Sequence, residues 1–353
     1  MTILHTADLH LRNTSDHRWD ALGTVLDKAA EVAADVVVIA GDLFDRDVDA
    51  QQLKTALRSL FESRGLLVLL LPGNHDQRGL RPGDFYGERV TLLCDAEDPV
   101  DVGDVRFVAL PFSDGGVEQT IERLRAAGER CDPGKTNALV YHGELLDLVP
   151  GGGAFGDEES DYMPARQASF AGLGFDYVLA GHFHRGYAVH RFDGGYFIYP
   201  GSPVSITVKE TGRRHANVVV PGAPPRAEPL DTFHVESVDV RLDPLDGRYP
   251  IDVIDESLRG LHPKAQAMLT VEGFVNLGAV GMTETEFHAA IKKEIARWPV
   301  KEIDARWTDV RDVVENDLFR KFVARTKGSV DPEHRAEMQD LVIRSLMETM
   351  YAR

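Results

Sequence analysis

The chain has 353 residues, 43% of them hydrophobic and 27% charged, a composition that excludes collagen-like, coiled-coil and disordered classes and a length that favours two domains. Lys plus Arg number 39 against 57 Asp plus Glu, a formal net charge of −18, so the isolated chain repels polyanions and binds nucleic acid only weakly and with strong salt dependence. The longest apolar run, residues 66–72, is far short of the roughly 20 residues a bilayer needs, the first residues lack the basic and apolar segments of a signal peptide, and Cys94 and Cys131 have neither metal-ligand spacing nor a disulfide framework; the expectation is a cytoplasmic protein with no membrane contact.

Residues 2–7, 36–40 and 66–72 are short apolar runs rich in branched side chains, the pattern of strands buried on both faces. Between them Leu22, Val25, Leu26, Ala29 and Ala33, then Leu53, Ala56, Leu57, Leu60 and Phe61, recur at helical spacing, so the chain opens βαβαβ. Further strands are expected at 90–94, 105–110, 137–141, 176–180, 195–199 and 215–220, with a helix at 117–127. Pro221, Pro224, Pro225 and Pro229 break both periodicities. The expected organisation is therefore a first domain over 1–220, a linker over 221–230, and a small α+β domain over 231–310 with strands at 233–241, 267–275 and 300–307 and helices at 251–260 and 284–297.

A C-terminal helix pair over 311–353 follows. Its first helix has the stripe Val314, Leu318, Phe322 and Val323, with Gly328 as its stop. Asp331 and Pro332 open the second as N-cap and first helical residue, and Met338, Leu341, Val342, Leu346 and Met350 stripe it. The one biased segment is Gly-rich and acidic, residues 150–161.

Chemistry-bearing residues gather directly after the apolar runs: Asp8-Leu9-His10, Gly41-Asp42-Leu43-Phe44-Asp45, Gly73-Asn74-His75-Asp76, His142-Gly143 and Gly181-His182-Phe183-His184. Ligands of an α/β sheet collect at the carboxyl ends of its strands, so clusters distant in sequence converge there. Strand alternation puts Asp8 and His10 on one face of a strand end, and His182 and His184 likewise. Taken singly each cluster is ordinary. GDLFD reads equally as a strand-to-helix turn with an Asp cap, GHFH as surface histidines, and Asp76 as a turn carboxylate bonding its own backbone. Together, in this order and all just beyond apolar strands, they are hard to obtain by chance, and their oxygen and nitrogen donors without thiolate suit Mn, Fe or Zn better than Mg or Ca.

The ordered clusters resemble those of the calcineurin-like metallophosphoesterase superfamily. The narrower resemblance, to its SbcD-like DNA repair nuclease branch, rests on the GDLFD form of the second cluster, on FDYVLAGH at 175–182 and on YPGSPV at 199–204. It covers residues 1 to about 210, and beyond the linker only position and size match. The resemblance implies an α/β fold, an αββα-type sandwich with a second, smaller α+β capping domain. It also implies two divalent metal ions, Mn first among the candidates, with Asp8, His10, Asp42 and His184 on one, Asp42, Asn74, His142 and His182 on the other, and Asp42 as the bridge. His75 is implied as general acid or as stabiliser of phosphate charge, with Asp76 orienting its imidazole. Asp45, where some relatives carry an assisting His, is expected to orient His75 through a hydrogen bond. Arg12 stands where the family often has Gly and is expected to meet a phosphate. It heads a basic set, with Arg18, Arg46, Arg78, Arg81, Arg185, Lys209, Arg213 and Arg214, that offers a phosphate track.

The function so implied is a metal-dependent DNA exonuclease or endonuclease, hydrolysing phosphodiesters in repair or recombination. A coiled-coil SMC-like ATPase subunit is the expected partner of the C-terminal helix pair, and a homodimer is a further expectation. The alternative served by the same centre is a phosphodiesterase or phosphatase acting on a small molecule such as a cyclic nucleotide.

Overall fold

The structure is a computed structural model and describes residues 1–148, 162–245, 247–327 and 331–351. The Gly-rich acidic segment and Gly328 lie outside the described residues. The three opening apolar runs form β1 (Ile3–Thr6), β2 (Val36–Ala40) and β3 (Leu67–Leu71). Almost every residue in them is buried, because they lie in mid-sheet with side chains packed on both faces. The helical periodicities become α1 (His17–Glu31), whose first turn Asp16 caps by accepting from the Arg18 and Trp19 amides, and α2 (Asp47–Arg64), closed by the left-handed Gly65.

After β4 (Val90–Leu92) come β5 (Val100–Val102), β6 (Val105–Leu110), α3 (Val117–Gly128), β7 (Thr136–His142), β8 (Tyr177–Gly181), β9 (Ala188–Phe192), β10 (Gly195–Tyr199), β11 (His215–Val219) and β12 (Arg226–Pro229). Among the described residues these strands make two sheets, in the orders β12-β11-β1-β2-β3-β4 and β5-β6-β7-β8-β10-β9. Ile3, Val36, Val38, Leu69 and Leu71 of the first sheet share one apolar layer with Val105, Phe107, Val140, Leu179 and Ile198 of the second. The outer face of the first sheet packs on α1 and α2 through Leu22, Val25, Leu26, Leu53 and Leu57. That of the second packs on α3 through Leu124 and Ala127. The result is the αββα sandwich.

Three strands escape the sequence reading, and each lies at a sheet edge. β5 is three residues long, β9 alternates half-exposed side chains, and β12 falls inside the stretch read as a linker. Pro229 sits at the end of β12, where its missing N–H removes no inner ladder bond.

The chain divides into two compact units, Met1–Val235 and Glu236–Arg353. The second takes in most of β13 (His234–Leu242), then α4 (Pro250–Leu258), β14 (Ala265–Val275), α5 (Leu277–Val280), α6 (Glu284–Ile295) and β15 (Val300–Asp309). Its sheet has the order β13-β14-β15. Ile254, Leu258, Phe287 and Ile291 from α4 and α6 cover Val240, Leu269 and Val271.

The C-terminal stretch is three helices rather than two: α7 (Arg311–Glu315), α8 (Asp317–Thr326) and α9 (Pro332–Tyr351). Asn316 breaks the first periodicity and caps α8 by accepting from the Leu318 amide. Val313, Phe319 and Ile343 are buried with Phe274 and Val310, so one face of these helices packs on the unit's own core. Leu318 and Leu341 are each 66% exposed. No helix is long and apolar enough to cross a membrane, among the described residues.

Candidate metal centre

β1, β2 and β3 run parallel in one sheet, and β6, β7 and β8 in the other, so all seven expected ligands emerge from carboxyl ends of strands. Asp8 and His10 follow β1, Asp42 and Asp45 follow β2, and Asn74, His75 and Asp76 follow β3. His142 closes β7, and His182 and His184 follow β8.

Strand alternation is not what brings Asp8 and His10 together. β1 ends at Thr6, and both residues adopt left-handed backbone with φ of 56° and 49°. Asp42 at 51° and His182 at 98° do the same. Such conformations cost of order 1 kcal/mol or more for a non-glycine residue and persist only where surrounding bonds over-determine them. Here those bonds are identifiable. The Asp8 amide donates to the Gly41 carbonyl at 3.1 Å and that of His10 to the Asp42 carbonyl at 3.0 Å. The His182 amide donates to both oxygens of the Asp8 carboxylate at 2.9 and 3.1 Å. His142 Nδ1 donates to the Ala40 carbonyl at 2.8 Å, a bond from one sheet into the other.

Glycines make the room. A Cβ on Gly41 would lie 2.0 Å from His142 Nδ1, one on Gly73 2.1 Å from Asp42 Oδ1, and one on Gly181 2.0 Å from the Ala40 carbonyl oxygen. The G of GD, GN and GH is therefore a packing requirement of the side chains beside it.

Three groups of donor atoms close enough to hold a cation result: Asp8, His10 and His184; His10, Asp42 and His75; and Asp8, Asp42 and His142. Asp42 Oδ2 sits 3.3 Å from His142 Nε2 and 3.7 Å from His10 Nε2. His142 Nε2 is also 3.0 Å from Asn74 Oδ1. His10 Nε2 and His184 Nε2 face each other at 3.1 Å, with Asp8 Oδ1 4.0 Å from the latter. The His182 ring stands 5.5 Å from that of His142, so the two histidines of GHFH turn to different neighbours.

Protonation fits the same use. Burial drives His10 and His182 down to about 3, leaving both rings neutral with a lone pair to give. Burial opposes charge on His142 too, yet the Asp42 carboxylate beside it wins and lifts it to about 9, while His142, His10 and His75 hold Asp42 far below the ordinary carboxylate range. Burial pushes Asp8 upward against the pull of His184 and His142. Buried carboxylates, the neutral rings of His10 and His182 and an amide oxygen form a donor set that a divalent cation fits, with His142 giving up its proton as the cation takes that proton's place beside Asp42.

The structure places the remaining expected residues differently. Asp76 does not serve as expected: its buried carboxylate accepts from the Gly73 amide at 2.7 Å and the Phe44 amide at 3.0 Å, bracing two turns, while His75 Nδ1 donates to the carbonyl of Asp45 at 3.0 Å. Asp45 thus meets His75 through its backbone, and its carboxylate takes Arg12 Nε and Arg18 Nη1 at 2.9 Å each and stands 3.7 Å from His10 Nδ1. Arg214 is no part of a phosphate track. It is 2% exposed and donates to the backbone carbonyls of Ser202, Arg185 and His184. Arg46 is engaged with Asp49.

Sequence reading missed Glu210, whose buried carboxylate lies 3.3 Å from His184 Nδ1. It stands in irregular chain between β10 and β11, where no periodicity or short motif marks it.

The family model described as calcineurin-like phosphoesterase matches residues 1–186. Similar solved structures include a dimetal phosphatase from Danio rerio (12% identity, TM-score 0.45, covering 65% of this chain and 96% of that one). The protein TT1561 of Thermus thermophilus is another (15%, 0.41, 61% and 92%), as is the phosphopantetheinyl hydrolase of Mycobacterium tuberculosis (16%, 0.37, 57% and 90%). At these identities and scores the likenesses carry nothing about substrate.

Gly73→Ala tests the crowding. The added methyl drives into Asp42 Oδ1, so bound metal measured by elemental analysis should fall while circular dichroism of the sheets is retained; full metal content would mean that Asp42 has room to move.

Proposed function

Because this chain belongs to the calcineurin-like phosphoesterase family, whose members hydrolyse phosphoesters at a dinuclear metal site, we propose that its substrate is the phosphodiester backbone of DNA, cut in repair or recombination as in the SbcD-like branch. What supports the substrate class is the second compact unit, the α+β stretch Glu236–Arg353, which hydrolysis of a small diester does not require.

In this reading Asp8, His10, Asp42 and His184 would hold one ion, and Asp42, Asn74, His142 and His182 the other, with Mn as the proposed metal. When bound, the pair supplies Lewis acidity for in-line attack of water on phosphorus and neutralises the non-bridging oxygens. The protein's own part is positioning and proton delivery. His75, with Nδ1 held on the Asp45 carbonyl, is aimed to give a proton from Nε2 to the leaving oxygen. A cavity of about 340 Å³ beside it is lined by Asn74, His75, Gln77, Arg78, Phe112 and Tyr162, and also by Asp47 and Asp114, whose carboxylates an anionic substrate must approach with its charge offset by Arg78 or by bound metal. Arg78 suits a neighbouring phosphate, and the two rings suit an unpaired base. The Ser202 amide of the PGSP segment donates to the carbonyl of His184 at 3.1 Å, which ties that segment to the centre.

The proposed partner is a coiled-coil ATPase docked on the outer face of α8 and α9. The support is the exposure of Leu318 and Leu341 at 66% and Met338 at 40%, on helices whose Phe319 and Ile343 are buried with Phe274 and Val310 as an inner face. Because that inner face is core, the docking surface is tested by charge substitutions rather than by truncation.

Three outcomes are expected. Metal-stripped protein reconstituted with Mn, Zn, Fe or Mg and given labelled single-stranded and end-containing DNA beside a small chromogenic diester should cut both, best with Mn. Cleavage of the small diester alone would replace the nuclease with the small-molecule phosphodiesterase, which the −18 charge favours. His75→Ala should keep two metal equivalents and lose roughly 10²–10⁴-fold in turnover, whereas loss of an equivalent would make His75 a ligand, as its place beside His10 and Asp42 permits. Leu318→Glu with Leu341→Glu should leave the thermal midpoint and diesterase activity unchanged and abolish pull-down of the ATPase; retained binding would remove this face from the interface.

A further inference from the structure

We propose that Glu210 is a positioning residue of the centre, whose carboxylate holds the His184 imidazole as the Nδ1–H tautomer and so aims Nε2 at the point it shares with His10 and Asp8. The inference deepens the metal-centre reading above and rests on it.

Glu210 is 4% exposed and lies 26 residues from its histidine in sequence. Its Oε2 accepts from the Ile206 amide at 2.7 Å and from Ser202 Oγ at 3.1 Å. Its Oε1 accepts from the Thr207 amide and from Thr207 Oγ1, both at 3.2 Å, and from His184 Nδ1 at 3.3 Å. An ionised carboxylate offers acceptors only. Four of its donors belong to residues 202–207 and fix it in its own loop, so any ring nitrogen that meets it must bring the proton. A neutral His184 then carries its lone pair on Nε2, which stands 3.1 Å from His10 Nε2 and 4.0 Å from Asp8 Oδ1.

The same segment also grips the backbone of His184. The Ser202 amide donates to the His184 carbonyl at 3.1 Å. Arg214 donates to that carbonyl and, at 2.8 Å, to the carbonyl of Ser202. Ring and main chain of one expected ligand are thus set by residues 202–214, beyond the matched stretch 1–186. Partners of this kind, which orient a ligating imidazole and raise its basicity, typically contribute 10- to 100-fold in metal affinity.

The competing explanation is that Glu210 merely folds its loop, and the two differ in what they predict. Glu210→Gln keeps size but puts an amide NH₂ either against His184 Nδ1–H or against the Ile206 amide. Thr207→Val removes a loop donor and leaves the contact to His184 in place. Expected are wild-type protein binding two Mn equivalents by calorimetry, Glu210→Gln weakened roughly 10- to 100-fold at one of them, and Thr207→Val close to wild type. If Thr207→Val weakens Mn binding as much as Glu210→Gln does, or if Glu210→Gln binds Mn as wild type does, Glu210 is a loop residue and the proposal fails. Should Glu210→Gln fail to fold, imidazole ¹⁵N shifts of metal-free wild-type protein, at a pH where the ring is neutral, decide directly. Nδ1–H on His184 supports the proposal, and Nε2–H overturns it. Wild-type protein that takes up no Mn would instead sink the metal-centre reading, a result separate from the tautomer.

Discussion

Asp42 holds a carboxylate that is 1% exposed, and much of the site follows from the need to compensate that charge. An ionised carboxylate taken out of water costs several kcal/mol unless it is paired and hydrogen-bonded. Oδ1 accepts from the His75 amide at 3.0 Å, and Oδ2 faces the His142 and His10 rings. Asp8, wholly buried nearby, shares the His182 amide between its two oxygens, and its Oδ1 stands 4.0 Å from His142 Nδ1 and from His184 Nε2. Against these two carboxylates burial keeps His10 and His182 uncharged, while against burial Asp42 lifts His142 to about 9 and Glu210 and Asp8 raise His184. Without metal, the charge of the two carboxylates is therefore met by protons on neighbouring rings. A divalent cation would replace those protons, and bound metal would then be a source of folded-state stability as well as of chemistry.

The backbone is organised to the same end. Of the six non-glycine residues with positive φ among the described residues, four, Asp8, His10, Asp42 and His182, carry site side chains. Each turn would relax if its local bonds were released, and those bonds run between the clusters. Asp8 is joined to Gly41, His10 to Asp42, and His182 to Asp8. The strain at Asp8 and His10 is thus held by bonds between neighbouring strand ends of the first sheet, and that at His182 by a bond from the second sheet to Asp8, so this last contact forms only when the sandwich does.

How much of this could be read from the sequence follows from the same physics. Buried mid-sheet strands announce themselves, because VVVIA and LVLLL have no other place to go, and helices with a wide apolar stripe do likewise. Edge strands do not. β9 reads Ala-Val-His-Arg-Phe and β12 contains two charged residues and a proline, since one side of each faces no further strand. That Asp8, His10, Asp42, His142 and His184 meet was legible from their order after strands, but left-handed turns rather than alternation along β1 bring Asp8 and His10 together, and His182 belongs to none of the three donor groups. Asp76 and Asp45 were visible as carboxylates, and their jobs were not, because a side chain that braces backbone amides looks in sequence like one that orients a ring. Glu210 was invisible for the complementary reason. Its partners are amides and hydroxyls of an irregular loop, and nothing local in the sequence encodes which distant ring that loop will meet.

The acidic surface and a polyanionic substrate are reconciled only by asking where positive charge is available. Of the basic residues near the clusters, Arg46 is engaged with Asp49, Arg214 is buried on backbone carbonyls, and Arg12 and Arg18 share the Asp45 carboxylate. Their fields are largely neutralised within a few ångströms. Arg12, 53% exposed at its side chain, is placed to exchange Asp45 for a phosphate, and that exchange would also loosen the carboxylate from the neighbourhood of His10. In the proposed reading the attraction of a phosphodiester to this chain is therefore lent chiefly by the bound ions, acting within a Debye length of about 8 Å. The long-range field stays repulsive. A DNA strand would be held at the centre and shed from the surface around it, and recruitment of longer DNA would fall to a partner that brings its own positive charge.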